Sequence, residues 1–347
     1  MSDSNSGIVA QAKLHHAYLL GLQLMVATNR PSAEIGDWMF KLFRRQHQEK
    51  FLSSFEKLGL CDLPHAVACA HYHVMSNNIG GVPVEFLGES DTKAWVRFRY
   101  PRWMYSGPTI CGVPIEVSRG FLEGWYAQNG VSLQNDCLGF VCVSEDMTGE
   151  FGFCGYFKEF DSALAENERL QFSRGELPPA FDAGAQPKLP CDLWSSERIE
   201  KANRNYAVEF VRNALVALAE AIGANASTEL AARAARLIGL QYFQETNTLV
   251  GTSDGGVSDA AEYLQRMFGG LNDEVSVSDL HADGHITLRH KNLRIVKGLT
   301  SAEASLVLDS WKHLWIGALS SYRVLKEVHI SIEKEEVCWK INDRRSE

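Results

Sequence analysis

From residue 29 onward the chain alternates between stretches in which apolar positions recur every three or four residues and shorter ones in which they recur every second residue. The first period is that of a helix with one buried face, the second that of a half-buried strand. Ile35, Trp38, Met39, Leu42 and Phe43 keep the helical spacing, with Pro31 near its start and Gly59 at its end, which predicts a helix across 29–59. A further helix is expected from Asp62, with Pro64 in its first turn, a buried stripe of Leu63, Val67, Ala70 and Val74, and a stop at Gly80-Gly81. Val84 and Phe86 then alternate before the polar Glu89-Ser90-Asp91, so 82–100 reads as a hairpin closed by Pro101. A Gly/Pro-containing loop over 105–113, a helix over 115–127 and a second hairpin, 138–144 with 151–160 around Thr148-Gly149, complete the first half.

The same order returns in the second half. Helices are predicted over 206–222, 227–245 and 258–268, with Ser227 and Ser258 placed to satisfy the first backbone donors. Val275 and Val277 alternate, Asp283-Gly284 is a turn signal, and 328–332 pairs with 337–341. Ala70 to Val84 and Ala261 to Val275 are both 14 residues, and Trp125 to Cys154 is 29 against 27 for Trp311 to Cys338. The expected fold class is therefore α+β, two tandem helix-plus-antiparallel-sheet domains forming a pseudo-twofold dimer. Residues 1–162 form the first repeat, 163–203 a linker containing Pro178, Pro179, Pro187 and Pro190, and 204–347 a second, structural repeat. Two unrelated domains with matching elements are the alternative.

Composition narrows the function classes. With 45% apolar and 22% charged residues the chain reads as globular throughout, and 347 residues suit two cores better than one. The net charge of −9 and the scatter of its basic residues argue against nucleic acid as a partner. The polar start lacks the order of a signal peptide and the apolar run at 17–27 is too short to span a bilayer, so a cytoplasmic location without membrane association is expected. Eight cysteines occur without a Cys-x-x-Cys pair, which disfavours a zinc ribbon or a dithiol redox site.

The halves differ where His71 and His73 stand against Glu262 and Leu264, so imidazole chemistry there belongs to the first half. His65, Cys69 and His73 share one helical face, but the first and last lie roughly 12 Å apart along the axis and cannot all reach one ion. No cofactor is expected. A transition metal at His71, His73 or His65 is the alternative, and a solvated polar face the plainer reading. The segment Tyr100-Pro101-Arg102-Trp103-Met104-Tyr105, followed by Ser106-Gly107-Pro108-Thr109-Ile110-Cys111-Gly112, has the composition of a pocket lining. Trp103 and Tyr105 offer apolar walls, Arg97 or Arg99 can grip a carboxylate, and Cys111 can act as nucleophile if His73 or His71 serves as its base. A packed, inert thiol is the competing reading. Trp125 and Trp311 are assigned to packing, Glu116 and Glu123 to solvated helix positions, and Ser253-Asp254-Gly255-Gly256 to an anion nest lacking nucleotide-binding spacing.

The tandem hairpins, the Gly139-Phe140-Val141-Cys142 strand and the arm Glu336-Val337-Cys338-Trp339-Lys340-Ile341 resemble vinyl-reductase-type ligand-binding domains and, among catalytic relatives, L-2-amino-thiazoline-4-carboxylic acid hydrolases. The two-copy length departs from that pattern. The resemblance implies a compact polar substrate with a carboxylate. The leading expectation is a hydrolase acting on a carbon-nitrogen bond of a small substrate, cyclic ones included, with Cys111 attacking, His73 or His71 moving protons, and Arg97, Arg99, Trp103 and Tyr105 binding. The alternatives are a non-catalytic sensor or carrier of an aromatic or amphipathic metabolite, and a metal-dependent enzyme with a histidine-held ion. A small molecule is the expected partner, and self-association into a homo-oligomer stays open.

Overall fold

A computed structural model describes residues 3–149, 151–190, 192–333 and 336–344. The chain folds as α+β with two sheets and divides into two compact units, 27–202 (the front unit) and 1–26 with 203–347 (the rear unit). The first helix, α1 (Asp3–Asn29), thus contributes residues 3–26 to the rear unit rather than to the first half. Packing explains this: Ala10, Leu14 and Tyr18 are buried, the Tyr18 hydroxyl donates to the Ala231 carbonyl (2.9 Å), and Gln11 Nε2 donates to the Arg204 carbonyl (2.8 Å).

The front unit continues with α2 (Ser32–Lys57), α3 (His65–Ile79) and the antiparallel hairpin β1 (Val84–Ser90) and β2 (Lys93–Phe98). The segment 103–132 is broken into short pieces, a single 3-10 turn at Trp103–Tyr105, α4 (Thr109–Gly112), α5 (Glu116–Gly124), a 3-10 turn at Tyr126–Gln128 and α6 (Asn129–Ser132). Strands β3 (Leu138–Ser144) and β4 (Cys154–Glu159) form the second hairpin. The Pro-rich stretch is more than a linker. Its β5 (Leu170–Phe172) pairs in parallel with β3, Phe140 opposite Leu170 and Cys142 opposite Phe172, and gives the order β1-β2-β4-β3-β5. Further along, Gln186 exchanges hydrogen bonds with both backbone groups of Phe86, and Trp194 Nε1 donates to the Lys57 carbonyl.

The rear unit adds α7 (Ser196–Ile222, of which 203–222 lie in this unit), α8 (Ala224–Val250) and α9 (Val257–Gly270). Strands β6 (Glu274–Val277) and β7 (His285–Lys291) turn at Asp283-Gly284, where Gly284 takes a left-handed φ of 84°. They are followed by α10 (Ser301–Leu319), β8 (Lys326–Glu333) and β9 (Glu336–Asp343), in sheet order β6-β7-β9-β8. In each unit the long helix before the first hairpin packs on the helix between the hairpins at near-backbone distance. A Cβ on Gly120 would lie 2.6 Å from the Gly36 carbonyl oxygen in the front unit, and one on Gly239 would lie 1.9 Å from the Leu314 carbonyl oxygen in the rear unit.

Two helix starts differ from expectation. Ser227 and Ser258 do not cap: α8 follows Gly223, and α9 follows Gly256, with the Asp259 carboxylate accepting from the Gly255 and Gly256 N–H groups at 3.1 and 2.9 Å. The expected anion nest therefore already holds the chain's own carboxylate.

Candidate functional site

The face of α3 expected to be polar is buried. Cys69 is inaccessible and His73 is 3% exposed, because α3 is enclosed on more than one side and its apolar stripe is wider than Leu63, Val67, Ala70 and Val74. His73 lies between aromatic rings, stacked at 3.9 Å on Tyr126 and at 5.3 Å on Phe157. Asn129 of α6 bridges two imidazoles: its Nδ2 lies 3.0 Å from His73 Nε2, and its Oδ1 lies 3.2 Å from His47 Nε2. Arg44 Nη1 reaches His47 Nδ1 at 3.2 Å. The row is self-consistent with neutral rings, donors running from Arg44 through His47 and Asn129 to His73. Burial pushes His47 down to about 3, helped by the Arg44 charge, and holds His73 well below the usual imidazole range, helped by the neighbouring His47. Such rings are poor proton carriers at neutral pH.

Deeper in the front unit is a cluster that the sequence reading passed over. Arg102, 3% exposed, donates from Nε to Asp146 (2.7 Å) and from Nη2 to the Ser118 hydroxyl (2.7 Å). The other Asp146 oxygen accepts from the Phe153 N–H (3.3 Å). The guanidinium is walled by aromatics, its carbon 4.4 Å from the Phe153 ring centroid, 5.0 Å from that of Phe121 and 5.1 Å from that of Tyr105. Burial works against its charge, but the adjacent, hydrogen-bonded Asp146 carboxylate together with Tyr105 and Tyr126 more than offsets this and holds it above the ordinary guanidinium range.

Four buried polar atoms in this neighbourhood have no hydrogen-bond partner: Arg102 Nη1, the Tyr105 and Tyr126 hydroxyls, and Glu145 Oε1. The Tyr105 hydroxyl feels Ser118 beside it without a well-formed hydrogen bond, and burial pushes the Tyr105 phenol up to about 12 while Arg102 pulls the other way. Burial likewise raises Tyr126, opposed by the same guanidinium, and its ring packs on the Phe121 and Phe153 rings that wall Arg102, at 5.2 and 5.7 Å. Each buried polar atom left without a partner costs about 1–3 kcal/mol, and four such atoms fall in this one neighbourhood.

The expected site residues are distributed differently from the proposed constellation. Cys111 is exposed on α4, and among the described residues no hydrogen bond joins it to a histidine. His71 is half-buried, edge-on to Phe86 at 4.5 Å, with its basicity lowered by burial. Arg97 donates to Glu85, and Arg99 lies 3.7 Å from the same carboxylate, so this acid already occupies the guanidinium pair expected to grip a ligand. Trp103 packs against the front core and Tyr105 is 1% exposed, part of the Arg102 cluster. His65 Nδ1 faces the Asn135 amide at 3.0 Å. Among the described residues no three His, Cys, Asp or Glu side chains are grouped to hold a metal ion.

The rear unit is not plain. A buried Asp273 carboxylate meets His290 Nε2 at 2.9 Å and accepts the Arg294 N–H, while His290 stacks on Phe268 at 4.1 Å. Two clefts, of about 690 and 810 Å³, are also lined by its residues. Trp311 is fully buried and Trp125 packs on the front core, so both act in packing.

No family model, curated protein or solved structure matches the chain. Among the described residues no helix is long and apolar enough to cross a membrane.

Proposed function

We propose that the chain binds a compact, carboxylate-bearing small molecule inside the front unit, with Arg102 as the group that meets the acid. The observation that carries this reading is the presence in one neighbourhood of Arg102 Nη1 and the Tyr105 and Tyr126 hydroxyls, three buried donors without acceptors. A carboxylate supplies the acceptor oxygens these groups lack, and a guanidinium fixed by Asp146 and Ser118 is held ready for it. Arg102 thus takes the role first given to Arg97 and Arg99.

This arrangement favours a sensor or carrier. The carbon-nitrogen hydrolase is the second reading, supported by Cys111 being exposed instead of packed away. The matching order β1-β2-β4-β3 and β6-β7-β9-β8 supports descent of both units from one duplicated module. A thermal-shift screen with small carboxylic acids, five-membered-ring amino acids among them, tests binding. An acid that raises the melting temperature of the natural chain should do so much less in Tyr126→Phe, and equal shifts in both proteins would refute the site. Consumption of that acid, abolished by Cys111→Ser, separates the hydrolase from the carrier.

A further inference from the structure

We infer that the 690 Å³ cleft of the rear unit is a second ligand site, for an amphipathic carboxylate with an alkyl body. The cleft lies between the first turns of α10, the segment 292–299 and the end of the β8–β9 hairpin. Its volume falls in the range of small-molecule sites. Leu293, Val296, Leu299, Leu308, Ile332 and Val337 supply apolar walls.

Its charges point to an anion. Two carboxylates line the cleft, and both are engaged: Glu336 pairs with Arg289 (2.9 Å) and Lys291 (3.1 Å), and Glu274 accepts from the Asn292 amide (2.6 Å). Of the two cations, Arg294 uses Nε on the Leu271 carbonyl and has no acidic partner among the described residues, and Lys297 is exposed and has none either. An entering carboxylate therefore meets unneutralised positive charge beside an apolar wall. Asn272 and Asn292, both lining the cleft, take left-handed φ angles of 61° and 53°, a conformation asparagine tolerates, Asn272 just past the end of α9. The neighbouring 810 Å³ cleft, lined by Glu220, Glu229, Glu303 and Asp309, has no basic residue in its wall and would reject the same ligand.

The probe is octanoate, titrated calorimetrically into the full chain carrying Tyr105→Phe and Tyr126→Phe, so that any binding at the front cluster is weakened. One saturable site is expected. Lys297→Glu should weaken it by roughly tenfold or more, the scale of a like charge placed at a charged head group, and the exposed Lys340→Glu should leave it unchanged. Octanol should bind at least roughly tenfold more weakly than octanoate, since it lacks the charge. Inorganic phosphate should not compete, because it lacks the alkyl body. Absence of saturable octanoate binding, equal affinity in Lys297→Glu, or octanol binding as tightly as octanoate would each overturn the assignment, as would displacement by phosphate alone. Ser305→Trp, at an exposed position on the cleft wall, provides a second variant and should abolish binding by filling the space.

Discussion

The front and rear units lay four strands in the same order, yet they treat the middle of the fold in opposite ways. In the rear unit the connection between hairpins is one 3-10 turn, Arg294–Val296, and a continuous 19-residue helix, α10, capped by Thr300 and Glu303. The unit's interior buries polar groups as well, among them the Asp273–His290 pair and His15, which places Nδ1 on the Gln11 carbonyl (2.7 Å) and accepts the Trp311 indole N–H (3.0 Å). In the front unit the same connection is broken into five short pieces, and the break carries Arg102, Tyr105, Ser118 and Tyr126 inward. The edges differ as well: β3 is covered by β5, whereas β8 ends its sheet. A continuous helix satisfies its own backbone and can be sealed with apolar side chains. An interrupted one brings polar groups to the core, at a cost that suggests a use.

The largest expected effects test what the units share. Gly239→Ala and Gly120→Ala each drive a methyl group into a backbone oxygen of the facing helix, and each should lower stability by about 3 kcal/mol or more in denaturant unfolding. Gly269→Ala, whose Cβ would meet nothing within 4 Å, should instead raise stability by roughly 0.5–1 kcal/mol. If all three variants behaved alike, the close helix approach would not be a common feature. Breaking the front pair by Asp146→Ala leaves Arg102 charged and buried, and a loss of about 3–5 kcal/mol is expected.

Acid should act on both units next, since burial holds His47 and His73 of the front unit low as it does His15 of the rear. Burial lowers His15 to about 4 from 6.5, with the Gln11 carbonyl opposing it. The unfolded chain therefore takes up this proton more readily than the folded one. Its effect on stability is absent above pH 6.5, grows as the pH falls toward 4 and levels off below that, reaching about 3 kcal/mol at most. His15→Gln should flatten the pH dependence of rear-unit unfolding over that window. A slope unchanged by the substitution would show that His15 is not the proton acceptor. The smallest effect distinguishes a ligand site from a structural one: Tyr126→Phe removes an unpartnered hydroxyl and should leave the unliganded chain as stable or about 1 kcal/mol more so, measured in urea.

The strands were the most legible elements, because Val84 and Phe86 or Val275 and Val277 alternate beside a turn whose chemistry is local. Residue periodicity also placed α2 and α3. It could not show that the Cys69 and His73 side of α3 is enclosed, since a buried histidine and a solvated one look alike in sequence until the covering rings of Tyr126 and Phe157 are in place. Asp259 was missed as a cap because its carboxylate reaches back to Gly255 and Gly256, a pattern less obvious than Ser258 at the helix start. Arg102 was within the segment singled out as a pocket lining, but its partner Asp146 is 44 residues away and nothing local joins them. The Pro-rich stretch concealed β5, which is only three residues long and borrows its ladder from β3.

The central claim is that the Arg102 cluster receives a ligand's acid group, and calorimetric titration of the acid selected by thermal shift, compared between the natural chain and Tyr105→Phe/Tyr126→Phe, tests it most directly. The account predicts stoichiometric binding to the natural chain and at least roughly a tenfold loss in the double variant, equivalent to about 1.4 kcal/mol, with the fold intact. Undiminished affinity in that variant would contradict it.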